Sequence, residues 1–224
     1  MENLYLKMDN VSKSINKNII LENINLNFER GKIYGIRGRN GSGKTMLFRA
    51  ICGLITIDEG KITINNKILG KEISLPESVG VLIEYPGFLD NFDGYNNLKY
   101  LADIKGIVGE NEIKLTMKKV GLDPEDKRKF KKYSLGMKQR LGIAQAIMEN
   151  PDLLLLDEPT NALDVEGVKL INEIILDLKQ QQKTIIITNH KLDELEGLVD
   201  ELITIDAGKI INIEKLESRQ RWKR

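Results

Sequence analysis

The chain has 224 residues, 41% of them apolar and 30% charged, the proportions of one globular domain with a subdomain rather than of a disordered or fibrous chain. Its 34 basic and 33 acidic residues leave a formal net charge of +1, so no global field marks a nucleic-acid partner. The longest apolar runs, such as Leu153–Leu156 and Ile185–Ile187, fall far short of the roughly 20 residues that span a bilayer, the opening MENLYLKMDN has no basic-then-apolar leader, and the single Cys52 cannot form an internal disulfide. The expectation is a cytoplasmic protein.

In chain order, Ile24, Leu26 and Phe28 alternate with Asn25 and Asn27, the period of a half-buried strand. Ile33 to Gly38 reads as a short apolar strand running into a glycine-rich loop, and Thr45 to Cys52 as the helix after it. A hairpin is expected in GKITINNKIL, where Asn65-Asn66 suits a tight turn. Val79 to Ile83 is a further strand, and Asn96 to Met148 is Lys-rich and helical in period, punctuated by Gly106, Gly121 and Asp123-Pro124. The last third alternates: strand Leu153 to Asp157, helix Val165 to Leu178 with Val168, Ile171, Ile175 and Leu178 on one face, strand Lys183 to Thr188, strand Leu202 to Ile205. Such alternation implies βαβ crossovers and a parallel sheet. The basic tail SRQRWKR, Ser218 to Arg224, reads either as a contact for anionic lipid or as a solvated end.

Three segments carry chemistry. Gly38-Arg39-Asn40-Gly41-Ser42-Gly43-Lys44-Thr45 fits G-x-x-x-x-G-K-[ST] between a predicted strand and a predicted helix. Glycines let the backbone N–H groups curl inward onto phosphate oxygens, and the helix N-terminus adds partial positive charge. Lys44 is placed to reach the β- and γ-phosphates of ATP, Thr45 to ligate Mg²⁺, and Met46 to extend the nucleotide contact. The strand Leu153–Leu156 ends in Asp157 and Glu158, the edge where parallel sheets bind ligands. Asp157 is the candidate for the Mg²⁺ shell and Glu158 for activating water. Taken alone this segment reads equally as a strand with two exposed acids. His190, the only histidine, follows another apolar strand and is the candidate γ-phosphate contact, although a lone histidine is also often mere surface or core packing.

The segment Tyr133-Ser134-Leu135-Gly136-Met137-Lys138-Gln139-Arg140 resembles the signature motif of ABC ATPases, and Pro159-Thr160-Asn161-Ala162-Leu163-Asp164 resembles their D-loop. Without the other motifs, Tyr133 to Arg140 would read as a serine-capped amphipathic helix. The resemblance covers essentially the whole chain. It implies an α/β P-loop fold with a mainly parallel sheet, an N-terminal antiparallel β-subdomain and a helical subdomain. A single domain 1–224 is expected, with residues 1–84 and 150–224 as core and 85–149 as helical insert. It further implies a head-to-tail dimer, of two copies or with a similar subunit, in which Ser134 and Gly136 contact the γ-phosphate bound to the opposing chain. A separate integral membrane permease is the implied partner, which would hold the protein at the inner face of the membrane.

The copy departs from the family pattern at Tyr133, Leu135 and Met137, where Leu-Ser-Gly-Gly-Gln is usual. At Glu84 the family usually has a glutamine that touches the metal and the attacking water, and the stretch IEYPGF is similar to ATPases of lantibiotic-immunity and bacitracin-resistance exporters. The resemblance thus implies export of a peptide antibiotic or lipid-like compound. Ile15 stands near the place where many members stack adenine on an aromatic ring, which implies weak base discrimination. A soluble ABC ATPase, for example of iron–sulphur assembly, is the alternative, and a nucleotide-sensing scaffold with little turnover is a third reading.

Overall fold

The computed structural model describes residues 3–84, 87–189 and 197–216; Tyr85, Pro86, His190 and the basic tail lie outside the described residues. A hairpin of β1 (Leu4–Ile15) and β2 (Asn18–Glu29) leads to β3 (Ile33–Arg37) and helix α1 (Lys44–Ile51). A second hairpin, β4 (Glu59–Ile64) with β5 (Lys67–Ile68), precedes β6 (Val79–Leu82). Then come helices α2 (Gly94–Lys105), α3 (Glu110–Lys119) and α4 (Leu135–Ile147). The chain closes with β7 (Leu153–Asp157), α5 (Val165–Gln180), β8 (Thr184–Thr188), β9 (Glu201–Asp206) and β10 (Lys209–Lys215).

Two sheets result. The antiparallel one has order β2-β1-β4-β5, and both of its tight turns rest on residues that tolerate left-handed backbone: Asn16 and Lys17 at φ 49° and 67°, Asn65 and Asn66 at φ 47° and 66°. Two consecutive positive φ values give the turn whose twist matches the strands it joins. The larger sheet has order β10-β9-β3-β8-β7-β6. Its strands run parallel except β10, which returns antiparallel along β9.

Alternate side chains of the central strands enter different cores, as expected for a sheet covered on both faces. Leu154, Leu156, Ile185 and Ile187 join a cluster with α2 to α5, whereas Leu153, Leu155 and Ile186 join one with α1 and the antiparallel sheet. Cys52 belongs to the second cluster, where burial pushes its thiol up to about 12, so it is small apolar packing.

Helix α4 is seated against β6 at Gly80, where a Cβ would stand 1.8 Å from the Ala146 carbonyl oxygen. The helices therefore occupy the β6 side of the sheet. The segment between α3 and α4, which the sequence reads as helical, is mostly irregular with one short 3-10 turn, Phe130–Lys132. Its rigidity comes instead from aromatic packing: Phe130 meets Phe88 edge-on at 5.2 Å and Tyr133 at 6.0 Å.

Candidate functional site

The carboxyl ends of β3, β7 and β8 lie side by side, and the loop 38–43 emerges there from β3. Gly38 is fixed sterically: a Cβ would stand 2.4 Å from both the Ile205 carbonyl oxygen and Ser42 Oγ. Gly43, at φ 109°, is the N-cap of α1, and it offers no side chain to the N–H groups of the first turn. No acidic residue stands in that turn either. The helix end thus carries exposed donors and partial positive charge without an anion of its own, a fit to phosphate. Ser42 Oγ is buried with no hydrogen-bond partner among the described residues.

Lys44 is buried, 7% exposed, and its Nζ donates to the Gly38 carbonyl at 2.8 Å and the Arg39 carbonyl at 3.1 Å. Two of the ammonium's three donors hold the loop, which leaves one for a phosphate oxygen. Thr45 Oγ1 donates to Asp157 Oδ2 at 3.1 Å, and the Thr188 hydroxyl donates to the other carboxylate oxygen. Asp157 is thereby oriented toward the first turn of α1 from β7, which β8 separates from β3. A hydroxyl and a carboxylate side by side suit Mg²⁺, which takes few protein oxygens and keeps several waters.

Glu158 follows with φ 48°, left-handed backbone that few non-glycine residues adopt. Its N–H donates to both the carbonyl and the hydroxyl of Thr188, at 3.1 and 3.0 Å. Its carbonyl accepts from Gln139 Nε2 at 3.1 Å, and the same amide reaches the Pro159 carbonyl at 3.1 Å. Asn189 Nδ2 donates to Thr160 Oγ1 at 3.3 Å, tying the end of β8 to the segment after Glu158.

Gly43, Lys44, Thr45, Gln139, Asp157 and Glu158 line a cleft of about 630 Å³ that also takes in Asn40, Met46, Glu84 and Leu135. The structure therefore brings together Asn40, Gly41, Gly43, Lys44, Thr45, Met46, Glu84, Asp157 and Glu158, with Gly38, Arg39 and Ser42 shaping the loop. Glu84 turns its carboxylate to Arg49, whose Nη2 donates at 3.0 Å. Ile20, not Ile15, lines the wall next to the loop. Ile15 sits at the end of β1 and is 39% exposed. Gln139 and Arg49 were missed by sequence reasoning, because their significance lies in contacts across elements that no local spacing announces.

Ser134 is the N-cap of α4 and accepts from Met137 N at 3.2 Å. That contact uses a lone pair, so the hydroxyl proton is left for an anionic acceptor. A Cβ on Gly136 would stand 3.1 Å from the Ala162 carbonyl, close to the segment after Glu158. Tyr133, a departure from the usual leucine, is buried and accepts from the Gly94 N–H at 3.1 Å. Burial pushes its hydroxyl pKa up, so it is an anchor between α2 and α4. His190 lies outside the described residues.

A glycine loop on an uncapped helix, a lysine within it and a carboxylate pair at the end of another parallel strand of the sheet define a P-loop nucleoside triphosphatase. The ABC transporter family profile matches residues 21–161. The chain is 48% identical over 207 residues to the uncharacterized ABC transporter ATP-binding protein YybJ of Bacillus subtilis, covering 92% of this chain and 95% of that one. It is 42% identical over 208 residues to the lantibiotic transport ATP-binding protein SrtF of Streptococcus pyogenes, covering 92% and 89%. With the bacitracin transport ATP-binding protein BcrA of Enterococcus faecalis it shares 38% over 221 residues, covering 96% and 72%. A dimeric bacterial ABC transporter cassette has the same fold, with a TM-score of 0.85 at 24% identity over 95% of this chain and 99% of that one. The chain belongs to the ABC transporter ATP-binding protein family. It is the ATPase subunit of a transporter, and the soluble alternative is not favoured.

Proposed function

We propose that this chain hydrolyses Mg-ATP between its own phosphate loop and the signature segment of a facing subunit, and so drives a separate permease that exports a peptide antibiotic or a lipid-like compound. The observation that carries the reading is the convergence in one cleft of Lys44, Thr45, Asp157 and Glu158. Lys44 and the α1 N-terminus hold the β- and γ-phosphates. Thr45 and Asp157 would hold Mg²⁺, with Glu84 beside them in the cleft; the ion would supply positive charge against the phosphates.

Glu158 accepts a proton from the water that attacks the γ-phosphorus in line with the leaving oxygen, giving ADP and phosphate. The Thr188 and Gln139 contacts fix its backbone so that the carboxylate is aimed before the nucleotide arrives. Ser134 donates its hydroxyl proton, and Gly136 opens space for its backbone, toward the γ-phosphate on the facing subunit. His190 supplies a further contact to the γ-phosphate held by its own chain's phosphate loop.

No helix among the described residues is long and apolar enough to cross a membrane, which supports a separate membrane partner. The exposed Leu89 and Phe92, in the segment after Glu84, offer apolar surface for docking it. The cargo assignment follows SrtF and BcrA, named for lantibiotic and bacitracin transport. Purification of the tagged chain from detergent-solubilised membranes of its native cell tests this. A stoichiometric multi-span membrane protein is expected; soluble partners alone would overturn the transporter assignment.

A further inference from the structure

Glu84 poses an electrostatic problem that the phosphate loop does not solve. It lines the same cleft as Asp157 and Glu158, so three carboxylates face a nucleotide that is itself anionic. Like charges crowded at one site disfavour one another. The cation that meets Glu84 is Arg49, at 3.0 Å. Arg49 stands in the last turn of α1, the helix whose first turn supplies Lys44 and Thr45. Its position is therefore tied to the phosphate loop by one rigid element.

The pair is exposed, 38% on the arginine side chain and 57% on the glutamate. An exposed pair of this kind biases an equilibrium by no more than about fivefold. It is strong enough to set the resting direction of the carboxylate. A divalent cation beside Thr45 and Asp157 carries twice the charge of a guanidinium, so it can compete for the same oxygens. A glutamine at position 84 would have no charge to neutralise and would not need the arginine.

We propose that Arg49 is a positioning residue for Glu84: it holds the carboxylate at α1 while nucleotide enters and yields it when the divalent cation binds. The proposal rests on the cleft being the nucleotide site. Two effects of opposite sign follow. Without the guanidinium, the bare Glu84 charge repels phosphates, so metal-free ADP binds more weakly. The freed carboxylate attracts the cation, so Mn²⁺ binds the ADP complex more tightly.

The test is a double-mutant cycle of wild type, Arg49→Gln, Glu84→Gln and the double variant. ADP binding in EDTA is read by calorimetry, and Mn²⁺ binding to the ADP complex by electron paramagnetic resonance. Arg49→Gln should raise the ADP dissociation constant and lower that of Mn²⁺, each by about threefold to fivefold. Neither shift should occur in the Glu84→Gln background, and Arg49→Lys, which keeps the charge on an exposed stem, should stay near wild type. The inference is overturned if the shifts are equal in both backgrounds, absent, or of the same sign, or if Arg49→Lys behaves as Arg49→Gln. Failure of wild type to bind ADP would instead overturn the nucleotide-site reading, and this inference with it.

Discussion

At Glu158 the backbone is held in the left-handed region at φ 48°, a conformation that costs a non-glycine residue about 1–2 kcal/mol. The cost is offset by hydrogen bonds to Thr188 and from Gln139, and a glutamine at this position keeps both of these backbone contacts. Glu158→Gln should therefore keep the site's shape and nucleotide affinity while removing the proton acceptor. Steady-state phosphate release should fall by about 10² to 10³, and turnover at the wild-type rate would refute the assignment. Lys44→Ala should act on the other term: with the loop's carbonyls and the phosphate both losing their cation, ATP binding itself weakens by calorimetry. Both residues were legible in the sequence, because the loop and the acid pair are contiguous motifs whose spacing encodes their geometry. The Arg49–Glu84 pair and the place of Ile20 at the cleft wall were not. Each depends on how separate elements cross, which local spacing does not encode.

Among the elements, β3, β7, β8 and α5 were read from the sequence within a few residues, since short apolar runs bounded by turn residues and a helical face of Val168, Ile171, Ile175 and Leu178 leave little choice. β10 was missed. Its seven residues are exposed or half-buried, with polar side chains between the isoleucines, so it shows no clean buried face. The sequence over-reads helix before the signature, because Lys-rich composition there favours helix while Phe130 and Tyr133 pack in an irregular segment with one 3-10 turn. Two substitutions weigh that packing. Tyr133→Phe leaves the buried Gly94 N–H without its acceptor, a loss of about 1–3 kcal/mol, measurable by thermal melting. Gly80→Ala drives a methyl into the Ala146 carbonyl, and forced overpacking of about 3 kcal/mol corresponds to a Tm lower by roughly 6–12 °C in a domain of this size. An unchanged Tm would mean that α4 does not rest on β6 as described.

At the scale of the whole molecule, the chain has the parts of one complete nucleotide site but not their arrangement. Ser134 caps α4 with its hydroxyl proton to spare, while Lys44 and Asp157 belong to the phosphate-loop helix and to the end of β7. In the proposed head-to-tail pair the two are joined, with ATP between them. The net charge of +1 means that two copies approach without strong long-range repulsion. In that arrangement the γ-phosphate is the group proposed to reach Ser134 and Gly136, and ADP lacks it. Glu158→Gln incubated with Mg-ATP should therefore run in light-scattering chromatography at twice the 25.4 kDa of the single chain, whereas the same protein with Mg-ADP should remain single. Adding Ser134→Arg to that variant puts a bulky side chain at the proposed contact, on an element that supplies none of the phosphate loop. It should abolish the dimer yet leave ATP binding intact, and a dimer that persisted through this change, or formed equally with ADP, would place the contact elsewhere on the molecule.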